Sequence, residues 1–586
     1  MTDTKAAPGA AESSAGTPVI SHWIEGRPAE VVPEQTGPVY DPATGQVIAR
    51  VPRGGTDEVD AAVAAAAKAF PAWRDMPLIA RSQILFAFRE QLHRHREEMA
   101  RLITQNHGKT YPDALAEVGR GLETVEFACG LPTLLAGMNT PNVSHGVDAF
   151  TLRQPLGVTS AITPFTFPAM VPMWIYPVAV AAGNTMVWKP SSHTCGAAQL
   201  QAELWTEAGL PDGVFNVVYG GREAVTAIVE HPDIKAIQFV GSTKVGTYVY
   251  EEGTRRGKRV GSFTSAKNAM LVLPDADMEQ TADAAIASGF GSAGERCMAQ
   301  TLVVAVGDAG EKLRPLMEER ISKLNIGPGM EPGVDMGPIY TAEHRESIIE
   351  WIDRGEREGA ELVADGRPFT CEQSPDGFFL GVTLFDKVTP DMEIFQEEIF
   401  GPVLGIAHAD TFDEGLRMIN EHKYANGTAV FTTDGGAARR FKLEVEVPMI
   451  GVNVPIPVPA GYLSFSGAKD SALGDLAMRG EDGIRFFTRQ KMVTERWPEP
   501  GRREGLTLVC PSNSTASPAS ATSVRAEANR DARVPEGGYS GAGVASASSA
   551  EPRSGSVNDG GSSADASCTG SAGASAPMGS SSPTAS

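Results

Sequence analysis

The stretch LGVTSAITPFTFPAMVPMWIYPVAVAAGNTMVWK, residues 156–189, holds two hydrophobic patterns in turn. Leu156 to Thr163 mixes β-branched and small residues over the length of a strand. Ala169 to Ala182 is a longer apolar run of helical length. Asn184 to Lys189 is strand-like again. The alternation continues outward. Ala197 to Ala208 reads as a helix ended by Gly209-Leu210-Pro211, and Val214 to Val218 as a strand. Ala236 to Val240 is a further strand, running into a helix that opens at Thr243. Upstream, Thr56 followed by Asp57 and Glu58 marks a helix start, and the Ala-rich run to Trp73 supplies the helix. Strands alternating with helices imply a parallel, doubly wound sheet, whose ligands sit at the carboxyl ends of its strands.

The chain has 586 residues, which implies more than one domain, because single cores stop growing at roughly 250–300 residues. Its net charge of −22 argues against nucleic acid as the principal partner. Six Cys with no CxxC spacing exclude a disulfide framework and a zinc signature, and fit a reducing, cytoplasmic setting. The apolar run Ala169 to Gly183 is shorter than the ~20 residues of a membrane span and is broken by Pro172 and Pro177, so no membrane association is expected. Residues 1–17 read as a flexible lead-in. Residues 499–586, dominated by Ser, Ala and Gly, read as a disordered tail, since such a composition buries too little apolar surface to offset ordering.

Chemistry concentrates at Cys297, in Gly291-Ser292-Ala293-Gly294-Glu295-Arg296-Cys297-Met298-Ala299. Small residues leave the backbone open to a substrate, and Arg296 is a neighbouring cation. On composition alone, a lone Cys reads as buried structure. The segment, however, resembles the active-site motif of aldehyde dehydrogenases, and closely that of the methylmalonate-semialdehyde, CoA-acylating branch. Other stretches resemble the family in the same chain order. They are Ile162 to Trp174, Phe239-Val240-Gly241-Ser242-Thr243, Glu398 to Val403, Gly451 to Pro459, and Ser464 through Asp475 to Trp497. The likeness spans about residues 20–498.

The resemblance implies an α/β fold with a cofactor domain over 18–265 and a catalytic domain over 266–455. It also implies a return and oligomerisation segment over 456–498 and an arm near 140–155, serving a dimer or tetramer. It implies a cysteine mechanism without a metal. The Cys297 thiolate attacks an aldehyde to give a thiohemiacetal, NAD oxidises this to a thioester, and water or the thiol of CoA releases the acyl group. In the semialdehyde branch the carboxylate is lost as CO2, so that propionyl-CoA or acetyl-CoA results. By the same likeness Thr166 stands in the oxyanion site beside the nucleophile. Phe165, Lys189, Gly241, Ser242, Glu398 and Phe400 hold the cofactor, and Arg120 and Arg296 bind the substrate carboxylate. Two of these assignments also follow from the residues themselves. A strand-to-helix turn at Gly241-Ser242 offers free amides to a pyrophosphate, and guanidinium forks match carboxylates.

Four departures from the family pattern bear on activity. Thr166 replaces an Asn donor in the oxyanion site. Phe263-Thr264-Ser265 replaces a Leu-Gly-Gly core beside the nicotinamide, and Ser262 aligns with the Glu base of hydrolytic relatives. Ser192 replaces a Glu that grips the adenine ribose, which opens the site to NADP. Pro448, before Met449, removes a backbone donor. Three readings follow: a CoA-acylating semialdehyde dehydrogenase; an aldehyde dehydrogenase for another aldehyde, NADP-dependent or hydrolytic; and an impaired homologue that binds nucleotide or partner.

Overall fold

The computed structural model describes residues 11–12, 16–32, 35–144 and 146–497. The lead-in and the tail read from composition lie largely outside these residues. Chain contacts group residues 1–508 as one unit and 509–586 as a second, which is not described.

The stretch quoted above forms the centre of an eight-stranded sheet. Strand Val158–Ile162 lies between Thr185–Lys189 and Ile234–Val240, parallel to both, and Arg259–Phe263 and Phe215–Val217 extend the parallel core. Every residue of Val158–Ile162 is buried, which explains its continuous rather than alternating hydrophobicity. The helix Met170–Ala181 is buried on every side, in keeping with its apolar character all round. Asn184 is the buried polar tie at its exit. Its Oδ1 accepts from the amides of Leu156 and Gly157, and its Nδ2 donates to the carbonyls of Ala179 and Phe487.

A second sheet has seven strands in the order Glu361–Ala364, Thr383–Asp386, Val403–Ala409, Gln300–Val306, Asn268–Val272, Gly427–Phe431, Met449–Val452. All its pairings except the first are parallel. Pro448 directly precedes the edge strand of this sheet, where no ladder partner needs its missing amide. A separate three-stranded antiparallel sheet joins Asn139–Ser144, Val147–Pro155 and Thr488–Glu495.

The parallel registers settle where a site can form. Ile162 pairs with Lys189 and Phe239, and Phe263 with Val240, so the loops holding Thr166, Lys189, Gly241 and Thr264 leave one edge of the first sheet. Cys297 precedes strand Gln300–Val306, Asn268 opens Asn268–Val272, and Glu398 precedes Val403–Ala409, all at the amino edge of the second. The short link Thr264–Lys267 crosses between the sheets. The carboxyl edge of one is thereby joined to the amino edge of the other.

Candidate active site

The nucleophile peptide is braced from the second sheet. The Cys297 carbonyl accepts from Asn268 Nδ2 at 2.9 Å and from Asn426 Nδ2 at 2.9 Å. Asn268 also donates to the Ala299 carbonyl and accepts from the Gly427 amide. The Cys297 amide meets no acceptor outside its own residue among the described residues; with the Met298 amide it bonds the thiol and lowers its pKa. Before it the chain turns through three left-handed residues, Ser292 (φ 52°), Ala293 (φ 54°) and Gly294 (φ 73°). Gly294 is required there, since a Cβ would lie 2.1 Å from the Gly401 carbonyl oxygen. The thiol is half-buried. Burial pushes its pKa up to about 12 and the Glu398 carboxylate adds to this, while Lys109 pulls it down.

One helix, Tyr111–Cys129, organises the surroundings. Asp113, Glu117 and Arg120 lie at spacings of four and three and share a face. Asp113 holds the nucleophile loop, with Arg296 at 2.8 Å and the Ser292 hydroxyl donating to it. Burial favours a neutral Asp113, but Arg296, Lys109 and Ser292 outweigh it and hold the carboxyl well below the usual range. Glu117 accepts from the amides of Ala169 and Met170, at the start of the buried helix, and from Lys109 Nζ at 2.8 Å. Lys109 is fully enclosed and also donates to the Thr166 carbonyl at 2.7 Å. Thr166 is thereby held by its backbone. Its hydroxyl makes no hydrogen bond among the described residues. Arg120 pairs with Glu123 at 2.9 Å and donates to the Val458 and Pro459 carbonyls.

On the other side, the Phe165 ring stacks on Tyr340 at 3.6 Å and meets the Phe400 edge at 5.9 Å. Glu398 accepts from the Ala266 amide at 3.0 Å. Burial raises its pKa to about 7 against that bond, the Ser265 hydroxyl and Lys267. Lys189 has no side-chain hydrogen bond or ion pair among the described residues, and burial lowers its pKa to about 8. The helix Thr243–Arg255 has no side-chain cap from Ser242. Among the described residues the amides of Lys244 and Val245 have no acceptor. An uncapped helix start, a half-buried lysine without a side-chain partner among the described residues and a half-buried carboxyl together fit a dinucleotide.

The comparisons with known proteins agree on one family. Residues 31–493 match the model of the aldehyde dehydrogenase family. The chain belongs to the aldehyde dehydrogenase family. A malonate-semialdehyde dehydrogenase of Pseudomonas aeruginosa is 46% identical over 496 residues, covering 84% of this chain and 99% of that one. A solved methylmalonate-semialdehyde dehydrogenase from Oceanimonas doudoroffii is 44% identical with a TM-score of 0.81, covering 82% of this chain and 99% of its own. A structure from Sinorhizobium meliloti 1021 complexed with NAD is 42% identical, also with a TM-score of 0.81, covering 83% and 99%.

Placed in the aldehyde dehydrogenase fold, the departures read from the sequence acquire contacts. Ser262 faces the helix Thr243–Arg255, where a Cβ on Gly246 would lie 2.6 Å from its Oγ. Strand alternation turns Phe263 to the opposite face, where it meets Phe465. Ser262 aligns with the Glu base of hydrolytic relatives, and neither it nor Phe263 is a carboxylate that could supply a base. Thr264 bonds the Asp470 carbonyl through its hydroxyl and packs its methyl toward Gly246. Ser265 bridges two halves of the site. Its hydroxyl bonds Glu398, and its Oγ lies 3.4 Å from the Thr243 amide as an acceptor.

Sequence reasoning missed Lys109, Asp113, Glu117, Asn268 and Asn426. Asp113 and Glu117 carried a signal, since they share a helix face with Arg120. Asn426 carried none, as its partner Cys297 lies 129 positions away in the chain.

Proposed function

We propose that this aldehyde dehydrogenase oxidises malonate semialdehyde or its methyl-branched homologue, with NAD as oxidant and CoA as acyl acceptor. The products are acetyl-CoA or propionyl-CoA and CO2. The observation that carries the substrate reading is Arg296, next to Cys297 on one loop, a side chain only 16% exposed that keeps guanidinium donors beyond its single ion pair. The names of the relatives support the same substrate class.

In this reading Cys297, on the peptide braced by Asn268 and Asn426, adds through sulfur to the aldehyde carbon. The resulting oxyanion meets the Cys297 amide and the Thr166 hydroxyl, and Lys109 keeps Thr166 in register through its carbonyl. Lys189, Gly241, Ser242, Phe165, Phe400 and Glu398 would hold a dinucleotide, which when bound would supply the two-electron oxidant that turns the thiohemiacetal into a thioester. With no base at Ser262 or Phe263 to activate water, an incoming thiol is the favoured acceptor for the acyl group. Ser192 leaves the adenine ribose edge without a carboxylate, which favours NADP as a second oxidant. Leu152 and Met492, 43% and 64% exposed on the three-stranded arm, support self-association of the chain through that sheet.

The test gives purified protein malonate or methylmalonate semialdehyde, with NAD or NADP, with and without CoA, and follows reduced dinucleotide and thioester. Thioester formation that requires CoA and is lost in Cys297→Ala is the expected result. No turnover in any combination refutes the enzyme reading; turnover indifferent to CoA refutes only the acylating branch.

A further inference from the structure

Arg296 and Asp113 form a pair whose geometry bears on substrate choice. The guanidinium is confined on both sides: a Cβ on Gly291 would lie 2.4 Å from its Nη1, and Asp113 Oδ2 lies 2.8 Å from its Nη2. The same Oδ2 accepts the Ser292 hydroxyl. Arg296 makes no other ion pair among the described residues, so one carboxylate of the chain itself offsets its charge. Arg120 is committed more fully, with one amino group on Glu123 and the other on two main-chain carbonyls.

We infer that Asp113 is a specificity-determining residue, a resident carboxylate that competes with the substrate carboxylate for Arg296 and so limits the preference for acidic over neutral aldehydes. The inference rests on the proposed role of Arg296 in carboxylate binding. Asp113 stays ionised throughout the neutral range, held there by Arg296, Lys109 and Ser292. An arriving carboxylate therefore shares Arg296 with a permanent anion and is repelled by it. Ser292 moderates the competition by occupying the oxygen that faces Arg296.

The experiment measures kcat/KM for malonate semialdehyde and for propanal, and takes their ratio. It also measures the Ki of malonate against propanal oxidation. In Asp113→Asn the ratio should rise about tenfold through a lower KM for the acidic aldehyde, with Ki falling in parallel. In Ser292→Ala, which leaves the whole carboxylate to Arg296, the ratio should fall. Alkylation of Cys297 by iodoacetamide, read on its own peptide because the chain has six Cys, verifies an intact site in each variant. A ratio that is unchanged or lower in Asp113→Asn overturns the inference. If that variant does not fold, a Ser292→Ala ratio equal to or above the parent's overturns it instead. Arg296→Gln separates the two layers. An acid preference that survives this change removes the carboxylate role of Arg296, and the inference with it. A preference lost there but indifferent to Asp113 removes the inference alone.

Discussion

Cys297 is a nucleophile in surroundings that oppose its ionisation. Burial and the Glu398 carboxylate raise its pKa, and Lys109 is the cation acting against them. Two results follow from these signs. Glu398→Gln removes a negative charge, so the thiol pKa falls. Above pH 7, where Glu398 is ionised, alkylation of Cys297 by iodoacetamide should accelerate by roughly three- to tenfold at pH 8–9. Lys109→Met removes the opposing cation and strips Glu117 of its partner. The thiol pKa should rise, kcat should fall by about 10², and the fold should lose about 3–5 kcal/mol as Glu117 stays buried without its ion pair. Lys109→Arg should recover part of the stability, and chemical denaturation measures the difference.

Among the elements, the turn before the nucleophile stores backbone strain. Ser292 and Ala293 are left-handed without being glycine, at a cost of about 1–2 kcal/mol each. Ala293→Gly should therefore raise the melting temperature, with a gain of about 1 kcal/mol after allowance for the looser unfolded chain. A drop would show that the Ala293 methyl, 1% exposed, is worth more packed than the strain it incurs. The helix Cys195–Glu207 tests burial of charge away from the site. Burial raises Glu203 to about 7 in the folded chain from an ordinary value of 4.5. A raised carboxyl favours folding below its unfolded pKa, and that contribution is lost as pH climbs from about 4.5 to 7. Glu203→Gln should thus stabilise by about 1–2 kcal/mol at pH 8, allowing for partial exposure, and by much less at pH 5.

At the scale of the molecule, the strands of the first half were legible because a buried parallel strand is a short unbroken apolar run. Val158–Ile162 and Thr185–Lys189 fall inside the stretches read as strands. The motif around Cys297 was legible because its spacing is local. The side of the strand that Ser262 faces was not read from the sequence, since a shift of one residue along a strand exchanges its two faces. The bracing of Cys297 by Asn268 and Asn426 was invisible, because it joins strands brought together only by sheet closure. The buried pair Lys109 and Glu117 was hidden for a related reason: nothing local marks either charge as buried until Thr166 and the helix start at Ala169 close over them.

The helix Tyr111–Cys129 carries one further consequence. Asp113, Glu117 and Arg120 tie the segment around Ser292–Arg296, the Thr166–Met170 turn and the Val458–Pro459 carbonyls to a single rod. Loops anchored separately open separately, each with its own protection against solvent. Loops anchored to one rod open when the rod does. In deuterium exchange, the amides of these three distant segments should lose protection at one common rate, and Glu117→Gln should quicken all three together.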